Sequence, residues 1–211
     1  MLDKNHIQKK CIQNLIDTGH WMSQQGWCRA SSGNLSARLS PHQVMITVSG
    51  CSIGQLSHAD LLQVDLDGVP CHTALKPSAE TLLHTALYTL ESNIAVILHT
   101  HSIASTVLSR ITTANQIEFS GYEIQKALTN QHDHHARISL PVFDNAQDML
   151  FLADQISQKY REIPFQWGFL LRGHGLYVFG KDINEARKHL ECLEFLLACE
   201  LQCLTCPTTS T

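Results

Sequence analysis

The sequence lacks the features that mark several common classes of protein. It has no apolar run approaching the roughly 20 residues of a membrane span, so we expect no membrane partner. It has no basic stripe, and its formal net charge is −4, so nucleic acid is not an expected partner either. Its N-terminus is polar and lacks the apolar core of a signal peptide. These absences predict a cytoplasmic protein.

The chain also lacks internal repeats, low-complexity tracts and linkers. Its 211 residues are enough for one domain with its own core. Segments with apolar residues at helical spacing alternate with short apolar runs that are typical of strands. We therefore predict a single α/β domain over residues 1–211, with a central sheet and helices on its faces.

Eight cysteines lie along the chain, mostly without regular spacing. In a cytoplasmic chain of this size they are expected to be free thiols rather than a disulfide framework. The one C-x-x-C pair, at 203–206, has no second pair to complete a structural zinc site.

The most informative stretch is the apolar run 95–98, which leads into His99-Thr100-His101. Such a run reads as a buried strand, and residues two apart on a strand point to the same face. His99 and His101 should therefore project side by side from the end of the strand. This spacing provides half of a metal site.

A third histidine, His174, is bracketed by Gly173 and Gly175 after another apolar run. Three neutral imidazoles with one open position form the ligand set of a catalytic zinc ion. The spacing alone leaves a second interpretation open, because strand histidines are often satisfied polar residues and the chain has 13 histidines in all. A cluster at 132–135 has no apolar strand before it, and we interpret it as a solvated loop.

Segment 76–80 is predicted to open a helix that runs to about Leu90. Ser78 fits as its N-cap, and Glu80 falls in the first turn, where the helix dipole favours an acidic side chain. The two residues could do no more than cap the helix, or they could also face a ligand, because a helix N-terminus can receive a phosphate.

Five linked motifs occur in the order and spacing of the class II aldolase family, and the sequence resembles that family over nearly its whole length. The motifs are Gly33-Asn34-Leu35-Ser36, Thr47-Val48-Ser49-Gly50, Pro77-Ser78-Ala79-Glu80, His99-Thr100-His101 and Gly173-His174-Gly175. Within the family, the segments around 76–84, 121–123, 140–145, 171–177 and 190–196 resemble the branch that dehydrates a ketose phosphate in methionine salvage.

The resemblance implies a three-layer α/β fold with a mostly antiparallel central sheet covered by helices. It implies one zinc ion per subunit, held by His99, His101 and His174. It also implies a homotetramer with active sites at subunit interfaces and a sugar phosphate as the small-molecule substrate.

The resemblance also suggests roles for residues around the metal. Asn34, Ser49, Gly50 and Ser78 match the positions that bind the sugar phosphate. Aldolases usually carry two serines before the glutamate, whereas the second position here is Ala79, which weakens the assignment there. Glu123 matches the acid/base position of the dehydratases and is our first choice for that role; Glu80 matches the aldolase position and is the second.

The implied reaction is the zinc-dependent dehydration of 5-methylthioribulose 1-phosphate to 5-methylthio-2,3-dioxopentyl phosphate, through an enediolate whose charge the zinc ion stabilises. A sugar-phosphate aldolase or epimerase is the alternative, because both reactions pass through the same kind of enediolate and spacing cannot separate them. A non-catalytic binding module on the same fold is a further alternative.

Overall fold

The structure is a computed structural model that describes the backbone of residues 4–206 and the side chains of residues 8–206. The five helices of this part are α1 (Lys4–Gln24), α2 (Thr81–Leu90), α3 (Ile103–Ile111), α4 (Met149–Glu162) and α5 (Ile183–Thr205). The eight strands are β1 (Asn34–Ser40), β2 (Gln43–Thr47), β3 (Leu61–Asp65), β4 (Val96–Thr100), β5 (Gln116–Phe119), β6 (Ile138–Phe143), β7 (Gly168–Leu171) and β8 (Gly175–Gly180). Three short 3-10 helices lie at Ile53–Gln55, His58–Asp60 and Glu123–Ala127.

All eight strands form one sheet in the order β3-β2-β1-β4-β8-β7-β6-β5. Every neighbouring pair is antiparallel except β6 with β7. The predicted mostly antiparallel central sheet is therefore confirmed. Strand β4 lies inside the sheet, between β1 and β8, and all five of its residues are buried.

The helices cover both faces of the sheet and make three layers. One apolar cluster contains the inner faces of α1, α3 and α5, and a second contains those of α2 and α4. Strand β4 contributes to both, with Val96 and Leu98 in the first cluster and Ile97 in the second. This alternation puts His99 on the α2 face of the sheet and Thr100 on the α5 face. The predicted three-layer α/β architecture is confirmed, while the boundary at 1–211 includes terminal residues outside the described range and stays a prediction.

The predicted start of the second helix is wrong. Helix α2 begins at Thr81 rather than after Ser78, and Glu80 occupies the N-cap position without a side-chain hydrogen bond to the helix. The reason is that the preceding residues are held against strand β2: Pro77 pairs with Val48, and Ser78 N–H donates to the carbonyl of Thr47 at 3.0 Å. The chain is extended here and can enter the helix only after a turn.

Two smaller expectations also differ from the structure. The sequence over 120–128 predicts the start of a short helix, whereas the structure has only the 3-10 helix Glu123–Ala127 there. The apolar spacing over 146–160 predicts an amphipathic helix with Leu150 on its inner face. Leu150 is instead 69% exposed, because α4 begins at Met149 with Asp148 as its cap and its buried stripe starts at Leu152.

Two predictions based on composition can be compared with the described residues. All eight cysteines are free, as expected. Within residues 4–206, no helix combines the length and apolar character needed to cross a membrane.

A buried carboxyl group ties α5 to β4 on the face opposite the histidines. Glu194 is 2% exposed, and its Oε1 accepts a hydrogen bond from the Thr100 hydroxyl at 2.5 Å. Its Oε2 has no hydrogen-bond partner. Burial raises the pKa of Glu194 to about 7, against the smaller opposing effect of the Ser102 and Thr100 hydroxyls. The neutral carboxyl form is therefore favoured in the fold.

Glu194→Gln should change the pH dependence of stability, because glutamine keeps an acceptor for Thr100 but does not titrate. The wild-type pKa is raised on folding, so the stabilising contribution of the neutral carboxyl is complete below about 4.5 and is lost as the pH rises through about 7. We expect the variant to gain roughly 1–3 kcal/mol relative to wild type between about pH 5 and pH 8. Urea unfolding at both pH values measures this gain, and a difference between the two proteins that does not vary with pH would contradict the assignment.

Candidate metal centre

The end of strand β4 presents two imidazoles to the same point. His99 lies within the sheet, opposite Asn34 of β1 and Tyr177 of β8. His101 follows the strand, and its backbone N–H donates to the carbonyl of Trp27 at 2.8 Å. The Nε2 atoms of His99 and His101 are 2.8 Å apart. The alternation of a strand thus brings these side chains together, as the sequence predicted.

The third imidazole comes from the tight turn between β7 and β8. Gly173 in this turn has φ +65°, a conformation that favours glycine. A Cβ at Gly175 would lie 1.9 Å from the carbonyl oxygen of Thr100, so only glycine lets the turn pack against β4. The turn places His174 Nε2 at 3.3 Å from His99 Nε2 and 3.1 Å from His101 Nε2.

These three residues fit a divalent metal ion. Among the described residues, they form a group whose ligand atoms all lie within 4.8 Å of one another. Tetrahedral zinc–nitrogen bonds of about 2.0–2.1 Å imply nitrogen separations of about 3.3 Å, close to those seen here. His99 Nδ1 lies 3.0 Å from the carbonyl of Leu176, to which it donates, so its Nε2 presents a lone pair to the centre.

The electrostatics of the rings also suit metal ligands, which must be neutral imidazoles. Burial lowers the pKa of His99 well below its usual value. Burial, followed by the effect of His174, lowers the pKa of His101 to about 4. The ring of His99 also stacks on Tyr177, with centroids 3.8 Å apart, which fixes its plane.

Glu80 lies against the three histidines. Its Oε1 is 3.1 Å from His174 Nε2, and its Oε2 is 3.4 Å from His99 Nε2. Burial by itself raises the pKa of Glu80, but positive charge located among the adjacent rings, at His99 first and then at His174, outweighs burial and holds the pKa well below its usual range. A cation among the rings would supply that positive charge while the imidazoles stay neutral. Glu80 is therefore part of the candidate centre rather than a residue of the helix's first turn.

Glu123 is not brought to the centre within one chain. Its side chain is 72% exposed on the 3-10 helix, where it pairs with Lys126 and lies 3.5 Å from His134 Nδ1. His134 belongs to the predicted solvated loop at 132–135, whose residues are half-buried or exposed. Neither of these contacts connects Glu123 with the metal-ligand candidates.

The residues matched to phosphate binding fall into two groups. Ser49 and Gly50 are exposed beside Ser78, because the Val48–Pro77 bridge draws the two loops together. Ser49 N–H and Ser78 N–H already donate to carbonyl groups of the chain. The Ser78 hydroxyl oxygen accepts from the Glu80 N–H at 3.3 Å, so the O–H groups of the two serines are the donors that these loops can offer. Asn34 is 4% exposed instead, and its Nδ2 donates to Glu80 Oε2 at 2.5 Å.

Two buried residues beside the centre, Tyr177 and His84, were not predicted from the sequence to have a role. Tyr177 stacks on His99, and His84 contacts Asn34 through Nε2 at 2.5 Å. A signal existed for His84, since it lies four residues after Glu80 and so shares its side of the helix. For Tyr177 the signal was weaker, because its position opposite His99 depends on the strand register.

Comparisons with known proteins found relatives both by sequence and by structure. A sequence profile of the class II aldolase and adducin N-terminal domain family matches residues 13–202. A methylthioribulose-1-phosphate dehydratase from Pectobacterium atrosepticum is 46% identical over 188 residues, which cover 89% of this chain and 92% of the relative.

Solved structures share the fold at lower sequence identity. YgbL from Klebsiella pneumoniae superimposes with a TM-score of 0.78 at 24% identity, over 92% of this chain and 89% of its own. The L-fuculose-1-phosphate aldolase from Thermus thermophilus gives 0.76 at 21% identity, over 97% of this chain and 100% of its own. At this sequence identity the structural similarity establishes the architecture only, and function has to be argued from the residues of the site.

His99→Ala should weaken zinc binding at least about 100-fold, because one of three ligands is lost while the surrounding core remains. Competition with a chromophoric chelator measures the affinity, and far-UV circular dichroism checks the fold. His132→Ala, which removes an exposed loop imidazole, is the control and should bind zinc as the wild type does. Unchanged zinc affinity in His99→Ala would refute the assignment.

Proposed function

Because the chain belongs to the class II aldolase and adducin N-terminal domain family, and a relative at 46% identity is a methylthioribulose-1-phosphate dehydratase, we propose that it is a lyase with that activity. It removes water from 5-methylthioribulose 1-phosphate and gives 5-methylthio-2,3-dioxopentyl phosphate, a step of methionine salvage. The observation that carries the proposal is the convergence of His99, His101 and His174 beside Glu80.

The three imidazoles would hold zinc as the metal of this enzyme. Neutral nitrogen ligands leave the ion its full positive charge. When bound, the zinc ion would act as a Lewis acid toward substrate oxygens and offset the negative charge that develops on them.

The phosphate group would be held by the loops that the Val48–Pro77 bridge brings together. The Ser49 and Ser78 hydroxyls are the donors proposed there, and Gly50, with φ +77° and open space around its Cα, lets a ligand approach the backbone. Asn34, bonded to Glu80, would act at the boundary between these loops and the metal. Binding of the phosphate group away from the reacting carbons would orient C3 and C4 of the sugar for proton transfer.

Dehydration needs a base for the C3 proton, next to the C2 ketone, and an acid for the departing C4 hydroxyl. The resulting enol becomes the second ketone when the proton of the C3 hydroxyl moves to C4. We assign the proton transfers to Glu123, because it matches the acid/base position of the dehydratases, whereas Glu80 Oε2 already accepts a hydrogen bond from the Asn34 amide. Glu80 would orient Asn34 and the histidines, and it is the alternative base.

For Glu123 to act, it must reach the site of another subunit, and we propose a homotetramer with interfacial sites. Exposed apolar side chains support an interface here: Ile103, two residues after His101, is 63% exposed, and Phe195 of α5 is 50% exposed. The 3-10 helix that carries Glu123 packs on α5. Eight free thiols are in keeping with a cytoplasmic location.

The activity itself is tested by incubating the zinc-loaded protein with 5-methylthioribulose 1-phosphate. We expect diketone absorbance to appear, with no cleavage of the carbon chain and no reaction of other ketose phosphates. Formation of dihydroxyacetone phosphate would instead identify aldol cleavage between C3 and C4, the alternative that the position of Glu80 favours. If the zinc-loaded protein shows no reaction, both the proposed dehydration and the alternative aldol cleavage are overturned.

A mixing experiment tests whether Glu123 acts across an interface. Glu123→Gln and His99→Ala should each lose dehydration, the first while keeping its zinc. If the two inactive proteins are unfolded and refolded together, sites that combine intact histidines with a neighbour's intact Glu123 should restore about a quarter of the wild-type activity. No restoration, or full activity in Glu123→Gln together with an inactive Glu80→Gln, would show that the base is misassigned.

A further inference from the structure

A chain of buried hydrogen bonds leads from the interior of the protein to Glu80. Tyr88 Oη lies 2.8 Å from Ser36 Oγ, which lies 2.7 Å from His84 Nδ1. His84 Nε2 lies 2.5 Å from Asn34 Oδ1, and Asn34 Nδ2 lies 2.5 Å from Glu80 Oε2. The hydrogen bonds run back and forth between α2 and β1 because one side of the helix packs against one face of the strand here. Glu80, His84 and Tyr88 are spaced by four residues, and Asn34 and Ser36 by two.

The side chains that form this series of hydrogen bonds are buried from solvent. Ser36 and His84 are 0% exposed, Tyr88 is 2% exposed and Asn34 is 4% exposed. A polar group that loses its partner at this depth cannot readily be compensated by water. Each of these side chains therefore fixes the orientation of the side chain to which it is hydrogen-bonded.

The direction of every hydrogen bond follows from the Asn34 amide, whose Nδ2 lies toward Glu80 and whose Oδ1 lies toward His84. An amide oxygen can only accept a hydrogen bond. His84 Nε2 must then carry the proton, and Nδ1 must accept from the Ser36 hydroxyl. The Ser36 oxygen in turn accepts from Tyr88. One tautomer of His84 satisfies the whole chain.

The state of the ring agrees with this geometry. Burial lowers the pKa of His84 to about 4, with only a partial opposing effect from Glu80. At neutral pH the ring is neutral and has one N–H to give, and this proton lies on Nε2 because the Asn34 oxygen that faces it can only accept.

We propose that His84 is a positioning residue for the dehydration assigned above: its Nε2–H holds the Asn34 amide in the one orientation that clamps Glu80 against His99 and His174. The inference rests on the proposed function for its catalytic consequence but not for the geometry of the chain. Without the His84 donor, the Asn34 amide can rotate and turn its oxygen toward the carboxylate, which repels it. Glu80 would then leave the position that it holds at the histidines.

The first test needs neither metal nor substrate. In metal-free protein labelled with 15N at histidine and asparagine, the His84 nitrogens should show a protonated Nε2 and a bare Nδ1. The Asn34 side-chain amide should show one strongly hydrogen-bonded proton, which His84→Gln retains, because the glutamine amide can donate in place of Nε2–H. His84→Leu should lose it. A protonated Nδ1 in the wild type, or an unchanged Asn34 amide in His84→Leu, would overturn the proposal.

The second test separates positioning from packing. In zinc-loaded enzyme, His84→Leu should lower kcat about 10- to 100-fold, the usual effect of removing a group that orients a metal site, with little change in KM. His84→Gln should recover most of the loss. The matched control is His189→Leu, which removes another buried histidine, 2% exposed and bonded to Phe179 and Thr129, far along the chain in α5.

The control should lose stability but keep kcat. An equal loss of kcat in His189→Leu and His84→Leu, or no rescue by glutamine, would reduce His84 to a structural residue. If wild-type protein shows no dehydration at all, the proposed function fails on its own, while the NMR measurement on metal-free protein still decides the hydrogen-bond chain.

Discussion

The structure depends on one electrostatic constraint, the convergence of three imidazole nitrogens on a point beside a buried carboxylate. The Nε2 atoms of His99, His101 and His174 lie between 2.8 and 3.3 Å from one another. Neutral rings with lone pairs directed at one point repel each other, and a divalent cation turns that repulsion into attraction. The fold holds the rings in place through an inner strand of the sheet and a glycine turn packed directly against it, so the ligand geometry is set by the backbone.

Different faces of the same strand serve different purposes. On the α2 face, His99 meets Tyr177 and Glu80, and behind Glu80 runs the hydrogen-bond chain through Asn34 and His84. On the α5 face, Thr100 donates to the buried carboxyl of Glu194. Strand β4 is therefore anchored by polar contacts on both sides within a region that is otherwise apolar. Such anchoring restricts the movement of the histidines. A site that stabilises developing charge requires side chains held in fixed positions.

The local sequence was sufficient for features that depend on short spacing. The i, i+2 rule brought His99 and His101 together, and the Gly-His-Gly turn after a strand selected His174. Apolar periodicity also predicted the alternation of helices and strands that the fold shows. It failed at Ser78, because a long-range pairing of Pro77 with Val48 keeps the chain extended past the expected cap. It could not reveal that Asn34 bonds to Glu80, since that contact joins residues 46 positions apart. It also could not show that Glu123 lies away from the histidines of its own chain, which depends on where α5 packs.

X-ray absorption at the zinc edge tests the central claim most directly, because eight free thiols offer the ion an alternative set of ligands. Protein reconstituted with one equivalent of zinc should show about three imidazole nitrogens at about 2.0–2.1 Å together with oxygen scatterers, and no sulfur. A sulfur shell at about 2.3 Å would place the ion on cysteines and contradict the account.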